Sequence, residues 1–219
     1  MGAFKFNLAS LETIEQLLAR NKVWAKVTGT QNPGLYESNA KGQNPPVLWI
    51  GCADSRISEH ALDVLPGEVF VHRNAGNIVS NNDMNCQSIL QMAMQVVGCK
   101  HIIVCGHTCC KGIEVALTKN KVGGPLEVWL RNLREVRAKY LTQLEAIEDP
   151  TEKANAFVKY NVIEQVYNVR KNDYVREHMQ SRGVQVHGLV YDVSSGLLDL
   201  VDIPECETES IFDLDPSSL

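Results

Sequence analysis

VLWIGCADSR, residues 47–56, is the stretch on which the reading of the fold turns. Four apolar, strand-forming residues run into Gly51 and Cys52, and the chain then sets down Asp54 and Arg56. A short apolar run that stops at a glycine suits a strand buried on both faces, as in a parallel sheet. Such sheets bind ligands at the carboxyl ends of their strands, where the loops converge. The same ten residues therefore predict both a fold class and the place to look for chemistry.

Working outward, HIIVCGH (101–107) repeats the design: an apolar run, a glycine, then His107, with Cys109 and Cys110 just beyond. EVFVHR (68–73), after the Pro66-Gly67 turn, reads as another strand. NPG at 32–34 and KGQNPP at 41–46 are turn punctuation. Leu8 to Val27 has apolar residues at helical spacing, with Ser10 and Thr13 as candidate caps. Asn85 to Val97, Pro125 to Tyr140 and Thr151 to Gln180 read as further helices, and 184–203 as a hairpin turning at Ser194-Ser195-Gly196. Alternating strands and helices predict an α/β fold. Its central β-sheet is mostly parallel and flanked by helices, with an added C-terminal strand and an N-terminal helical arm. We expect a single domain over 1–219, divided into an arm (1–28), a core (29–203) and a C-terminal tail (204–219).

Composition narrows the function. At 219 residues with 44% hydrophobic and 21% charged content, the chain can bury one substantial core. A net charge of -5 argues against nucleic-acid or anionic-membrane partners. No run approaches the roughly 18–20 apolar residues that span a bilayer. The N-terminus lacks an apolar stretch of signal-peptide length, and seven cysteines are an odd number. Reduced thiols and a cytoplasmic address are expected.

A cysteine at one strand end is ordinarily a small buried hydrophobe, and one histidine a hydrogen-bonded surface residue. Here a glycine followed by a metal-type donor recurs at two strand ends, which points to a metal site. Cys52, His107 and Cys110 are thiolate and imidazole donors of the kind zinc prefers, and three of them leave one tetrahedral position open. Asp54 is close enough in sequence to become a fourth ligand. Arg56 offers a planar fork that can grip its carboxylate in a bidentate pair and keep it off the metal.

CADSR (52–56), VHRNAGN (71–77) and GHTCC (106–110), in this order and at these separations, resemble the β-class carbonic anhydrases. NVIEQVYN (161–168) and VHGLVYD (186–192) belong to the same resemblance, which runs from Leu17 to Ile203. It implies reversible hydration of carbon dioxide to bicarbonate and a proton. One Zn2+ per chain would sit on Cys52, His107 and Cys110, and the Asp54–Arg56 dyad would orient the zinc-activated water. Two thiolates cancel the formal charge of the ion, so that water should titrate about a unit above the ~7 of the unrelated three-histidine anhydrases.

By the same resemblance Gln43, Phe70 and Ala75 face the substrate. Trp49, Arg73 and Tyr191 match a side pocket where some members bind inhibitory bicarbonate. The implied assembly is a homodimer with the arm packed on the partner, or a tetramer. Two positions depart from the family pattern. Lys111 stands where a glycine is usual, with expected strain of about 1 kcal/mol and a cation near the metal. Cys109 adds a thiol that could capture Cys110 on oxidation and release zinc. The alternatives are hydrolysis of carbonyl sulfide or carbon disulfide, and a weakly active zinc protein that senses bicarbonate or redox state. A zinc deaminase is disfavoured by the missing H-x-E and P-C-x-x-C signature. His60 and His72 are the histidines nearest in sequence for proton transfer.

Overall fold

The computed structural model describes Leu8 and residues 13–214. Two compact units divide after Gln43. In the first, α1 (Ile14–Gln31) starts at Thr13, whose N–H donates to Gln16 Oε1 at 3.3 Å. Ser10, the other candidate cap, lies outside the described residues. The helix continues through residue 28, because nothing breaks it before Asn32-Pro33-Gly34, where Asn32 Nδ2 donates to the Thr28 carbonyl at 3.0 Å. The sequence reading missed α2 (Leu35–Lys41). Tyr36 of α2 meets Trp24 edge-on, with ring centroids 6.5 Å apart. The boundary expected at 28/29 thus falls inside α1, and the larger unit begins at Asn44.

That unit is built on five strands: β1 (Val47–Cys52), β2 (Val69–Asn74), β3 (His101–His107), β4 (Gln185–Tyr191) and β5 (Leu198–Val201). Their order is β2-β1-β3-β4-β5; the first four are parallel, and β5 pairs antiparallel with β4. The apolar run of β1 lies between two neighbours, and Leu48, Trp49 and Ile50 are fully buried there. Asp192 organises the β4–β5 turn, accepting from the Ser194 N–H at 2.9 Å and from both serine hydroxyls.

The helices are α3 (Met84–Gln91), α4 (Lys111–Leu117), α5 (Gly124–Lys139), α6 (Leu141–Glu145), α7 (Pro150–Arg170) and α8 (Asp173–Arg182). Two sequence expectations are corrected here. The single helix expected over 151–180 is two, because Asn172 leaves helical geometry (ψ 130°) and caps α8 by accepting from the Val175 N–H at 3.3 Å. The helix expected over 85–97 begins at Met84, capped by Asp83, and widens into a π-helical turn over Met92–Val97 before Gly98 at φ 79°. Residues 204–214 lie along α7 and α8: Tyr167 donates to the Pro204 carbonyl, and Arg176 pairs with Glu209 and Asp213. No helix among the described residues is long and apolar enough to cross a membrane.

α7 packs directly on the backbone of β3 and β4 because both strands place glycine beneath it. A Cβ at Gly188 would stand 2.7 Å from Val162 and 3.0 Å from Ile203; one at Gly106 would stand 2.8 Å from Val162 and 3.0 Å from Val158. Overpacking of this kind forces side chains off their rotamers or shifts backbone. Gly188→Ala is therefore expected to destabilise the protein by about 1–3 kcal/mol, read as a lower urea midpoint at unchanged slope.

Candidate metal centre

β1 and β3 are adjacent and parallel, so their carboxyl ends bring Cys52 and His107 side by side. The turn after β3 swings back to deliver Cys110, the residue that opens α4. The turn is made at Cys109, which takes φ 57°, one of three described non-glycine residues at positive φ. The ligand atoms of Cys52, His107 and Cys110 all lie within 4.8 Å of one another, and all three residues are buried.

The donors suit a cation. His107 is fully buried; its Nδ1 donates to the Thr108 carbonyl at 2.9 Å, which leaves the lone pair on Nε2, a buried atom with no partner. An orphaned buried nitrogen facing two thiols is costly unless something binds it. Fixing one imidazole nitrogen on a carbonyl so that the other can bind metal is a common arrangement around metal sites. Cys52 Sγ accepts the Gly76 N–H at 3.4 Å. The Cys52 thiol is held low, chiefly by the Cys110 thiol and further by His107 and the Gly76 amide. Cys110 is pushed up by its bond to Cys52 and by burial. The pair thus shares one proton between its sulfurs, and a divalent cation bound there would displace it.

Asp54 stands at the open side, its Oδ2 3.9 Å from His107 Nε2. Arg56 grips it with Nε on Oδ1 at 2.9 Å and Nη2 on Oδ2 at 2.7 Å, while its backbone N–H also donates to Oδ1. Nη2 reaches the Cys109 carbonyl as well, at 3.0 Å. The Arg56 guanidinium holds the Asp54 carboxyl well below the usual carboxylate range. Stability from this pair is thus present above the ordinary carboxylate pKa and is lost only as pH falls through the depressed one.

Other expected residues fall as follows. Arg73 donates to the carbonyls of Cys52 (2.8 Å), Asp54 (2.6 Å) and Ile57 (2.7 Å), so it braces the loop that carries the dyad. Strand register puts Trp49, Arg73 and Tyr191 on one face of the sheet, and Trp49 Nε1 is a buried donor without an acceptor. Ala75 follows β2 directly, exposed, with its carbonyl accepting from Trp129 Nε1 at 2.7 Å. Phe70 pairs with Leu48, four residues before Cys52, which is roughly 13 Å along the sheet from the ligand end. Gln43 belongs to the N-terminal unit.

The strain expected at Lys111 sits instead at Cys109, since Lys111 is the first residue of α4. Its ammonium is exposed and paired with Glu114 at 3.0 Å rather than directed at the thiols. His60 is exposed and bonded to Ser58. His72 is buried beside Asp83 and Cys86, the second cluster of metal-type donors among the described residues. Those donors are already engaged. Asn74, locked in orientation by Ile78, donates to His72 Nε2; Asp83 caps α3; and burial pushes the Cys86 thiol up to about 12.

The carbonic anhydrase family profile matches residues 47–198, the span from β1 to the start of β5. The chain superposes on the crystal structure of the β-carbonic anhydrase CafA of Aspergillus fumigatus with a TM-score of 0.88 and 37% identity, covering 93% of this chain and 100% of that one. The chain belongs to the β-carbonic anhydrase family. A carbonic anhydrase of Candida albicans is 40% identical over 211 residues, 95% of this chain and 75% of the relative. One of Emericella nidulans is 37% identical, covering 94% and 93%. A tetrameric β-carbonic anhydrase of Sordaria macrospora superposes with a TM-score of 0.84 at 37% identity over 88% of this chain and 98% of that one. The enzyme hydrates carbon dioxide reversibly, and these relatives do not favour the carbonyl sulfide, carbon disulfide or purely sensory readings.

Sequence reasoning missed the backbone of the site: the Thr108 carbonyl that orients His107, the Gly76 N–H on Cys52, and the Cys109 carbonyl that steadies Arg56. Only the glycine of RNAGN carried a signal.

Proposed function

We propose that Cys52, His107 and Cys110 hold one Zn2+ per chain and that Asp54 and Arg56 form the catalytic dyad beside it. The single observation that carries this reading is the buried, partnerless His107 Nε2 facing two buried thiols. Zinc held by these ligands would supply a Lewis acid that brings the acidity of water toward neutrality. Asp54 Oδ2 accepts a hydrogen bond from the attacking water and turns its lone pair toward carbon dioxide. Arg56 keeps both carboxylate oxygens occupied, so Asp54 stays ionised and does not become a fourth ligand.

Phe70 and Gln43 complete the reading as cleft residues together with Ala75. The distance of Phe70 from the ligand end of its own sheet favours its lining the cleft of a second copy, and so a homodimer or a tetramer. Seven free cysteines fit a reducing, cytoplasmic setting.

Trp49, Arg73 and Tyr191 form an inhibitory bicarbonate pocket in this reading. An anion held there has the orphaned Trp49 N–H as a donor and competes for the Arg73 guanidinium with the carbonyls of Cys52 and Asp54.

Metal analysis with stopped-flow hydration tests these assignments together. The expected result is one zinc per chain, with kcat/KM rising as pH increases through about 8 and added bicarbonate inhibiting most at low pH. Full occupancy by another metal, or a profile flat from pH 6 to 9, would overturn the zinc and two-thiolate assignment; indifference to bicarbonate would remove the pocket.

A further inference from the structure

The loop after β2 is closed across its base by Asn74, which donates to the Ile78 carbonyl at 2.7 Å and accepts the Ile78 N–H at 2.8 Å, but its tip takes an unusual path. Asn77 N–H bonds back to the Asn74 carbonyl at 3.4 Å, and the two residues inside the bend's end, Gly76 (φ 82°) and Asn77 (φ 47°), are both left-handed. Consecutive left-handed residues persist only where surrounding contacts fix them. This loop is also what presents the Gly76 N–H to Cys52 Sγ.

Trp129 of α5 holds the Ala75 carbonyl, and α7 holds the tip at Gly76 and the exit at Val79. Asn161 Nδ2 donates to the Gly76 carbonyl at 3.0 Å, so Gly76 is held on one side by the helix and on the other by the Cys52 sulfur. Gln165, one turn further on, donates through Nε2 to Asn161 Oδ1 at 2.9 Å and accepts the Val79 N–H at 2.8 Å. Asn168 Nδ2 donates to the Val79 carbonyl at 3.0 Å. Asn161 and Gln165 are each only 1% exposed, and polar side chains buried to that degree are retained where every donor and acceptor has a defined partner. The Asn161 amide cannot flip without setting its oxygen against the Gly76 carbonyl and its NH2 against the Gln165 NH2.

We propose that Asn161, oriented by Gln165, is a positioning residue of the metal centre: it fixes Gly76 so that the Gly76 N–H stays on the Cys52 sulfur. The inference rests on the metal reading above. An N–H on a ligating sulfur withdraws charge from it and fixes its direction, so a helix on the far side of the loop tunes the ion without touching it.

Asn161→Asp tests this, since it keeps the acceptor for Gln165 and replaces the donor to Gly76 with a second oxygen. In the metal-loaded variant, zinc release to a chelator is expected to be about 10-fold faster than in the parent. The sulfur-to-metal charge-transfer band of the cobalt(II) form should shift. Tyr167→Phe, which removes a hydrogen bond from the same helix to Pro204, should change neither. An unchanged band and release rate in Asn161→Asp overturns the proposal, as does an equal change in Tyr167→Phe. Should Asn161→Asp not fold, Gln165→Glu keeps the acceptor for Val79 and removes the donor that orients Asn161, and the same two readouts decide. A parent protein that binds no ion would instead sink the metal reading, an outcome distinct from parent and variant binding alike.

Discussion

Cys110→Ser is expected to yield a folded protein that retains no zinc and hydrates carbon dioxide at least about 10⁴-fold more slowly in kcat/KM. Cys110 is 4% exposed and opens α4, where a serine fits the backbone without strain. A hydroxyl does not ionise as a thiol does, so the substitution removes one of three donors and leaves Cys52 and the His107 Nε2 lone pair facing a neutral oxygen. Water then returns to its bulk acidity and no nucleophile forms at neutral pH. Ligand linkage supplies a second readout. A chelator should lower the Tm of the parent, because an ion that binds only the folded chain stabilises it by mass action. The same chelator should leave Cys110→Ser unmoved. Stoichiometric zinc with parent-like turnover in this variant would refute the ligand assignment.

Arg56→Ala should separate binding from catalysis. Its guanidinium makes two bonds to the Asp54 carboxylate and a third to the Cys109 carbonyl, with no contact to the ligating atoms themselves. Zinc should therefore stay bound while kcat/KM falls by about 10²–10³, the usual cost of losing one preorganised electrostatic element. With the fork gone, Asp54, whose Oδ2 lies 3.9 Å from His107 Nε2, would be free to turn and ligate the metal itself. The cobalt(II) spectrum should report a new oxygen ligand that does not exchange with solvent. In the metal-free variant Asp54 also loses the chief interaction that depresses its pKa, so its protonation should move up toward about 4 and the acid limb of the stability profile should move with it. Asp54→Asn should match the loss of rate without the new anionic ligand. Full turnover in Arg56→Ala would remove the dyad from the mechanism.

These residues were legible because each carries its chemistry in its side chain and sits at a strand end, where periodicity is easiest to read. VLWIGC and HIIVCGH give strands with the expected limits, and their parallel pairing follows from the helices between them. What stayed hidden was set by backbone or by distant contact. The break at Lys171-Asn172 depends on an asparagine capping the next helix, a short signal inside a long apolar rhythm. The strained position fell at Cys109 rather than Lys111 because the turn into α4 is made two residues earlier than the glycine pattern suggested. Arg73 is engaged with three carbonyls, a role that no spacing announces.

The glycines beneath α7 bear on more than packing. Val162, the side chain that a methyl at Gly106 or Gly188 would strike, is the immediate neighbour of Asn161. The height of the helix above the sheet is thereby also the reach of Asn161 toward the loop. A single added carbon at Gly188, far from any ligand in sequence, would be transmitted as a displacement of the Gly76 amide. If Asn161 positions the metal centre as proposed, a change at this glycine should therefore be felt twice, in folding and in how firmly an ion is kept.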